Sequence, residues 1–127
     1  MSGYTILIAD DSRVSRMLIM SIVKSLLPAA RLLEAKDSQE ALKWAAHNLI
    51  DVATLDLDMP GGMNGLELAK ALRVRYPVIK MGLLTASEEE TILEQVDEQG
   101  MSYLRKPIDE DEVRHFIARS LPEAIRA

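Results

Sequence analysis

The chemistry-bearing residues of this sequence are Asp10-Asp11, Asp56 with Asp58 two residues on, Thr85 and Lys106. Asp10, Asp56, Thr85 and Lys106 each stand where a short apolar run gives way to polar sequence. Desolvating an anion is costly, so a carboxylate at such a point needs open water or a positive partner. Three carboxylates brought together repel, which raises a pKa or binds a cation. An all-oxygen donor set without His or Cys suits a hard divalent ion. Mg²⁺ keeps several waters and is held by one or two carboxylates plus phosphate, so it is the natural candidate, with Mn²⁺ as the alternative. Thr85 and Lys106 then suit phosphate oxygens, and an aspartate can itself be the nucleophile that forms an acyl phosphate.

Such a site exists only if the chain brings these positions to one edge. Tyr4 to Ala9 predicts a strand buried on both faces, and Val14 to Leu27 a helix capped by Ser12 and stopped by Pro28. Arg31 to Ala35 predicts a second strand. Ala41, Leu42, Ala45, Ala46 and Leu49 recur at helical spacing, and Asp51 to Leu57 returns to a strand pattern. The alternation continues with a helix at Gly65–Tyr76, a strand at Val78–Leu84, a helix at Glu88–Gln99, a strand at Met101–Arg105 and a last helix closed by Pro122. Asp37 with Glu40, Asn64 with Glu67, Ser87 with Glu90 and Asp109 with Glu112 resemble capping boxes, Ser87 alone in the strict form. Five strands alternating with five helices imply a parallel sheet covered on both faces. In such sheets functional groups collect beyond the carboxyl ends of the strands. The acidic pair ends the first strand, Asp56 the third, Thr85 the fourth and Lys106 the fifth.

The 127 residues suffice for one domain with its own core. The absence of cysteine excludes disulfides, thiolate metal sites and thiol catalysis, and favours a reducing cytoplasm. Fifteen basic against twenty acidic residues, net −5 with no basic tract, argue against nucleic acid as the direct partner. No apolar run is long enough to span a bilayer, and Met1 to Tyr4 lacks the charged start of a secretory signal.

Asp10-Asp11, Asp56, Thr85 and Lys106-Pro107, in this order and on these strands, resemble the receiver domain of two-component response regulators, chemotaxis regulators among them. The resemblance runs from Thr5 to Leu121 and rests on the combination. It implies a single receiver domain over residues 1–127, an α/β flavodoxin-like fold with strand order 2-1-3-4-5 flanked by five helices. It implies that Asp56 takes phosphate from a sensor histidine kinase or a histidine phosphotransfer protein, by self-catalysed transfer and not as a turnover enzyme. Asp11 would ligate Mg²⁺ directly and Asp10 through water, with Asp56 and the Asp58 backbone carbonyl completing the set. Lys106 would pair with the phosphoryl group, Thr85 would reorient toward it and Tyr103 would swing inward. The fourth helix, fifth strand and fifth helix would then change face toward a downstream protein or a fused output domain; a homodimer stays open. Side chains at Asp58 and Ser87 would tune the lifetime of the mark, and the peptide before Pro107 would be cis, aiming Lys106.

After Pro60 the sequence Gly61-Gly62-Met63-Asn64-Gly65 is one residue longer than the commonest family loop and richer in glycine. An aspartyl-phosphate phosphatase would use Asp56-Leu57-Asp58 as nucleophile and general acid, but that motif normally ends a first strand, where this chain already has an acidic pair. A degenerate receiver that only binds partners is opposed by the intact acidic set, Thr85 and Lys106. Tyr103 also reads as a half-buried edge aromatic. Glu88-Glu89-Glu90 suits a first helical turn, His47 and His115 fall inside helices, and Trp44 suits core or rim. The first helix carries apolar residues beyond one stripe, Met17, Leu18 and Met20 among them, leaving a partner surface and a deeply packed helix both open.

Overall fold

Ile6, Leu7 and Ile8 are fully buried, so the first strand, β1 (Thr5–Ala9), must be covered on both faces. In the computed structural model, which describes residues 3–125, it is. Met1, Ser2, Arg126 and Ala127, parts of the signal-peptide and domain-range expectations, lie outside the described residues. The elements follow as α1 (Arg13–Leu26), β2 (Arg31–Ala35), α2 (Ser38–His47), β3 (Val52–Asp56), α3 (Gly65–Arg75), β4 (Lys80–Thr85), α4 (Glu90–Glu98), β5 (Ser102–Arg105), α5 (Glu110–Ser120) and α6 (Pro122–Ile125). The five strands are parallel in the order β2-β1-β3-β4-β5. This is the expected doubly wound sheet, whose order reverses beside β1 and β3, the strands that carry the acids.

Two cores separate across the sheet. Ile19, Ile22 and Val23 of α1 meet Val113, Phe116 and Ile117 of α5 over Ile6, Ile8, Val52, Leu84 and Leu104. On the other face Ala41, Ala45, Leu68, Leu72 and Val96 bring α2, α3 and α4 onto Leu7, Ala53, Leu55 and Leu83. Burying one such aliphatic side chain contributes about 1.5–3 kcal/mol. Of the five helices that cover the sheet α4 is held least, since Val96 is its one buried residue, which marks it as the one among them most free to shift.

The helix starts follow the capping expectation at three of four places. The side chains of Asp37 and Asp109 accept from the amides of Glu40 and Glu112, and Asn64 with Glu67 closes a reciprocal capping box. Each such cap is worth about 1 kcal/mol. Ser87, the strict match, fails: its hydroxyl is taken by the amide of Glu89 in a local turn, and α4 starts behind Glu89 without a side-chain cap. Three further expectations are corrected. Leu49 lies past the end of α2, 80% exposed; Val78, 83% exposed, precedes β4 because Ile79 first closes a turn onto the Tyr76 carbonyl. The last helix does not end the fold, because Pro122 starts a sixth, one-turn helix, a place where its missing amide costs nothing.

Candidate functional site

Four strand ends build the site. The β1 chain runs on into Asp10, which is fully buried, and Asp56 ends β3 with 1% exposure. The exposed Asp11 joins them, so that one carboxylate oxygen from each of Asp10, Asp11 and Asp56 lies within 4.8 Å of the others. Thr85 ends β4, buried, and Lys106 follows β5 across a cis peptide to Pro107. Lys106 Nζ donates to Asp56 Oδ1 at 2.8 Å and lies 3.7 Å from Asp10 Oδ2. Asp10 Oδ1 accepts from the amide of Ser12 at 2.9 Å, while Ser12 Oγ caps α1 through Ser15, so one residue serves both helix and acid.

One ammonium cannot balance three carboxylates. Burial pushes Asp56 up to about 6, helped by the charge of Asp10 and opposed by Lys106. Asp10 is raised by burial as well, with the Ser12 amide and Lys106 pulling the other way. Burial alone would lower the Lys106 ammonium, but the Asp56 hydrogen bond and the charges of Asp10, Asp56 and Asp11 turn its net shift upward. Asp10 Oδ2 and Asp56 Oδ2 are buried and accept no hydrogen bond from the described residues. Buried acceptors of that kind, in an all-oxygen set, fit a hard divalent cation. The described cluster could hold one.

The side chain of Asp58 is outside this cluster and exposed; its amide donates to Asp56 Oδ1 at 3.3 Å. Thr85 Oγ1 accepts from the amide of Ser87 at 2.9 Å, and Tyr103 OH donates to the Ser87 carbonyl at 3.1 Å. A chain of contacts therefore joins Thr85, Ser87 and the half-buried Tyr103. His47 and His115 are exposed and away from the acids, and Trp44, 37% exposed, donates to the Glu34 carbonyl on the rim.

Residues 6–118 match the family model described as the response regulator receiver domain. The chain belongs to this family. Among curated proteins it is similar to the cyclic di-GMP phosphodiesterase response regulator RpfG of Xanthomonas campestris, 34% identical over 116 residues, 88% of this chain and 30% of that protein. It is 28% identical over 123 residues to sporulation initiation phosphotransferase F of Bacillus subtilis, 96% of this chain and 97% of that one. The chain spans about a third of the length of several curated relatives it matches. Among solved structures, the chemotaxis response regulator of Vibrio cholerae superposes with a TM-score of 0.81 at 25% identity, covering 94% of this chain and all of that one. A CheY-like receiver domain protein of Methanospirillum hungatei gives 0.85 at 22%, covering 97% of each chain.

In this receiver domain two features near the acids were not legible from sequence: the conformation of the glycine-rich loop and a contact made by Arg16. The long loop after Pro60 holds Gly61 and Gly62 at φ 60° and 80°, backbone that a side chain would strain. Ser38, buried at the start of α2, pins it by accepting from the amide of Met63 at 3.1 Å. Gly65 then packs so tightly that a Cβ would lie 2.5 Å from the Asp56 carbonyl oxygen and 2.8 Å from Leu83 Cδ1. Gly65→Ala is expected to lower stability by about 1–3 kcal/mol in urea unfolding. A wild-type midpoint would contradict that packing. The other feature is Arg16 on α1, which reaches the Asp10 main chain.

Proposed function

We propose that this receiver domain, as one unit over residues 1–127, is a phosphorylation switch with Asp56 as acceptor. The observation that carries the reading is the pairing at Asp56: Lys106 Nζ holds Oδ1 at 2.8 Å while Oδ2, buried, accepts nothing. The carboxylate is oriented on one side and unpartnered on the other. In the step proposed, an Asp56 oxygen attacks phosphorus of a phosphohistidine on a sensor kinase or phosphotransfer protein. The P–N bond breaks, its electron pair stays on the imidazole nitrogen, which takes up a proton, and an acyl phosphate remains on Asp56. Asp11 directly, Asp10 through water, Asp56 and the Asp58 carbonyl would hold Mg²⁺ or Mn²⁺, which when bound neutralises the phosphoryl oxygens. Lys106 would move its hydrogen bond from Asp56 to the transferred group. The transfer is self-catalysed, and the chain turns over no separate substrate.

Readout follows from the contact chain. For Thr85 to reach a phosphoryl oxygen it gives up the Ser87 amide, which loosens the loop that Tyr103 holds and, beyond it, the lightly anchored α4. The face formed by α4, β5 and α5 then presents itself to a downstream protein or an attached output domain. We place this exchange in the cytoplasm, in keeping with the cysteine-free composition; among the described residues no helix is long and apolar enough to cross a membrane.

Incubation with Mg²⁺ and a small phosphodonor should yield on the wild-type protein a phosphate that alkali hydrolyses and hydroxylamine cleaves, as expected of an acyl phosphate. Steady hydrolysis of a phosphomonoester without a stable adduct would contradict the switch. Asp58→Asn is expected to slow loss of the mark about threefold, since the exposed carboxylate beside Asp56 can take a hydrogen bond from the attacking water. An unchanged decay rate would count against that role.

The donor is proposed to dock on α1 next to the acids, where Val14, Met17 and Leu18 are 68%, 56% and 51% exposed. Met20, in contrast, packs half-buried against the core and is no part of the patch. Met17→Lys with Leu18→Lys should weaken transfer from the phosphohistidine donor about tenfold while small-donor labelling stays at wild-type rate. Equal loss of both rates would point to the fold instead.

A further inference from the structure

A charged residue of α1 and one of β2 are joined beside the acids. Arg16 lies in the mostly apolar helix α1, and its side chain is only 14% exposed. Glu34 lies in the short edge strand β2. Arg16 Nε donates to Glu34 Oε1 at 2.9 Å, and Arg16 Nη1 donates to the main-chain carbonyl of Asp10 at 2.7 Å. That carbonyl belongs to the peptide joining Asp10 to Asp11. On its other side Asp10 is fixed by its own amide, which donates to the Ala35 carbonyl on β2 at 2.9 Å. The peptide past the last rung of β1 is thus oriented by a guanidinium that Glu34 itself aims, and Trp44 Nε1 holds the Glu34 carbonyl at 2.7 Å.

We propose that Arg16 is a positioning residue for the cation site of the receiver domain. It acts through the Asp10–Asp11 peptide, whose plane sets where both carboxylates point. The inference rests on the phosphorylation reading above, since it needs those carboxylates to hold a cation. Partners behind metal ligands are commonly worth about 10–100-fold in metal affinity when removed. Lysine is a poor substitute, because one ammonium cannot span the carbonyl and the Glu34 carboxylate as the planar fork does.

Charge and geometry predict opposite signs here. If Arg16 mattered only as a nearby cation, removing it would strengthen binding of a divalent ion by relieving repulsion. If it orients the peptide, removing it weakens binding. The test is Mn²⁺ affinity, read by electron paramagnetic resonance of free Mn²⁺, for wild type, Asp11→Asn, Arg16→Met and Arg16→Lys, each checked for native circular dichroism. The expected result is binding by wild type, loss in Asp11→Asn, binding about tenfold weaker in Arg16→Met, and an intermediate value in Arg16→Lys. Equal or tighter binding by folded Arg16→Met overturns the proposal. If Arg16→Met does not fold, Arg16→Lys decides: weaker binding supports the role and wild-type binding overturns it. Failure of wild type to bind Mn²⁺, or undiminished binding by Asp11→Asn, strikes the cation site itself and removes this role with it.

Discussion

Asp56→Asn is expected to abolish phosphate incorporation from both the protein donor and a small phosphodonor, while making the cation-free protein more stable at pH 7.5. Loss of labelling follows because the amide is not a competent nucleophile for this transfer and no other carboxylate stands against Lys106 in the same way: Lys106 Nζ is 2.8 Å from Asp56 Oδ1 but 3.7 Å from Asp10 Oδ2. The gain in stability follows from burial. Ionised Asp56 is 1% exposed, beside two further carboxylates, and its pKa is raised from 3.8 to about 6. A neutral isostere avoids that unfavourable ionisation, worth on the order of 2–3 kcal/mol. Urea unfolding of the two proteins in chelator measures it. A less stable Asp56→Asn, or one that still accepts phosphate, would refute the assigned role. Sites arranged for function often store such strain.

The pH dependence of the same comparison carries the second large effect. Asp56 has a folded pKa above its unfolded value, so between pH 3.8 and about 6 the folded state binds more protons than the unfolded one. Unfolding free energy contributed by this group therefore falls as pH rises through that window, by on the order of 2–3 kcal/mol, and stays low above it. Asp10, raised by burial too, adds to the fall. Relative to wild type, Asp56→Asn should gain progressively from pH 4 to 6 and then level off. Mg²⁺ at about 100 times its dissociation constant should return about 2.7 kcal/mol to the wild type at pH 7.5 and far less to the variant. A difference between the two proteins that does not vary with pH would show that Asp56 titrates normally.

Much of this was legible in the sequence because the signals were local and repeated. Ile6-Leu7-Ile8 and Val52 to Leu55 are apolar runs that a parallel sheet buries on both faces, and the carboxyl-end rule then gathers Asp10, Asp56, Thr85 and Lys106. Arg31–Ala35 was placed to the residue. What escaped depends on local bonds that compete with a pattern, or on partners distant in the chain. Ser87 matched a capping pattern, yet Thr85 and Glu89 compete for its amide and hydroxyl. Leu49 and Val78 fitted a periodicity that the turns around them break off. Ser38 holding Met63 and Arg16 reaching Glu34 join segments 25 and 18 residues apart and leave no periodic trace. The surplus of apolar residues on α1 resolves by register: Ile19, Ile22 and Val23 face the core, while Val14, Met17 and Leu18 face outward.

The most direct test of the central claim is fluorine NMR of the protein with beryllofluoride, an unreactive mimic of the phosphoryl group, with and without Mg²⁺. Bound fluorine resonances should appear in the wild type only when Mg²⁺ is present, and be absent from Asp56→Asn in every condition. Bound resonances that persist in Asp56→Asn, or none in the wild type at saturating Mg²⁺, would contradict Asp56 as the acceptor beside a divalent cation.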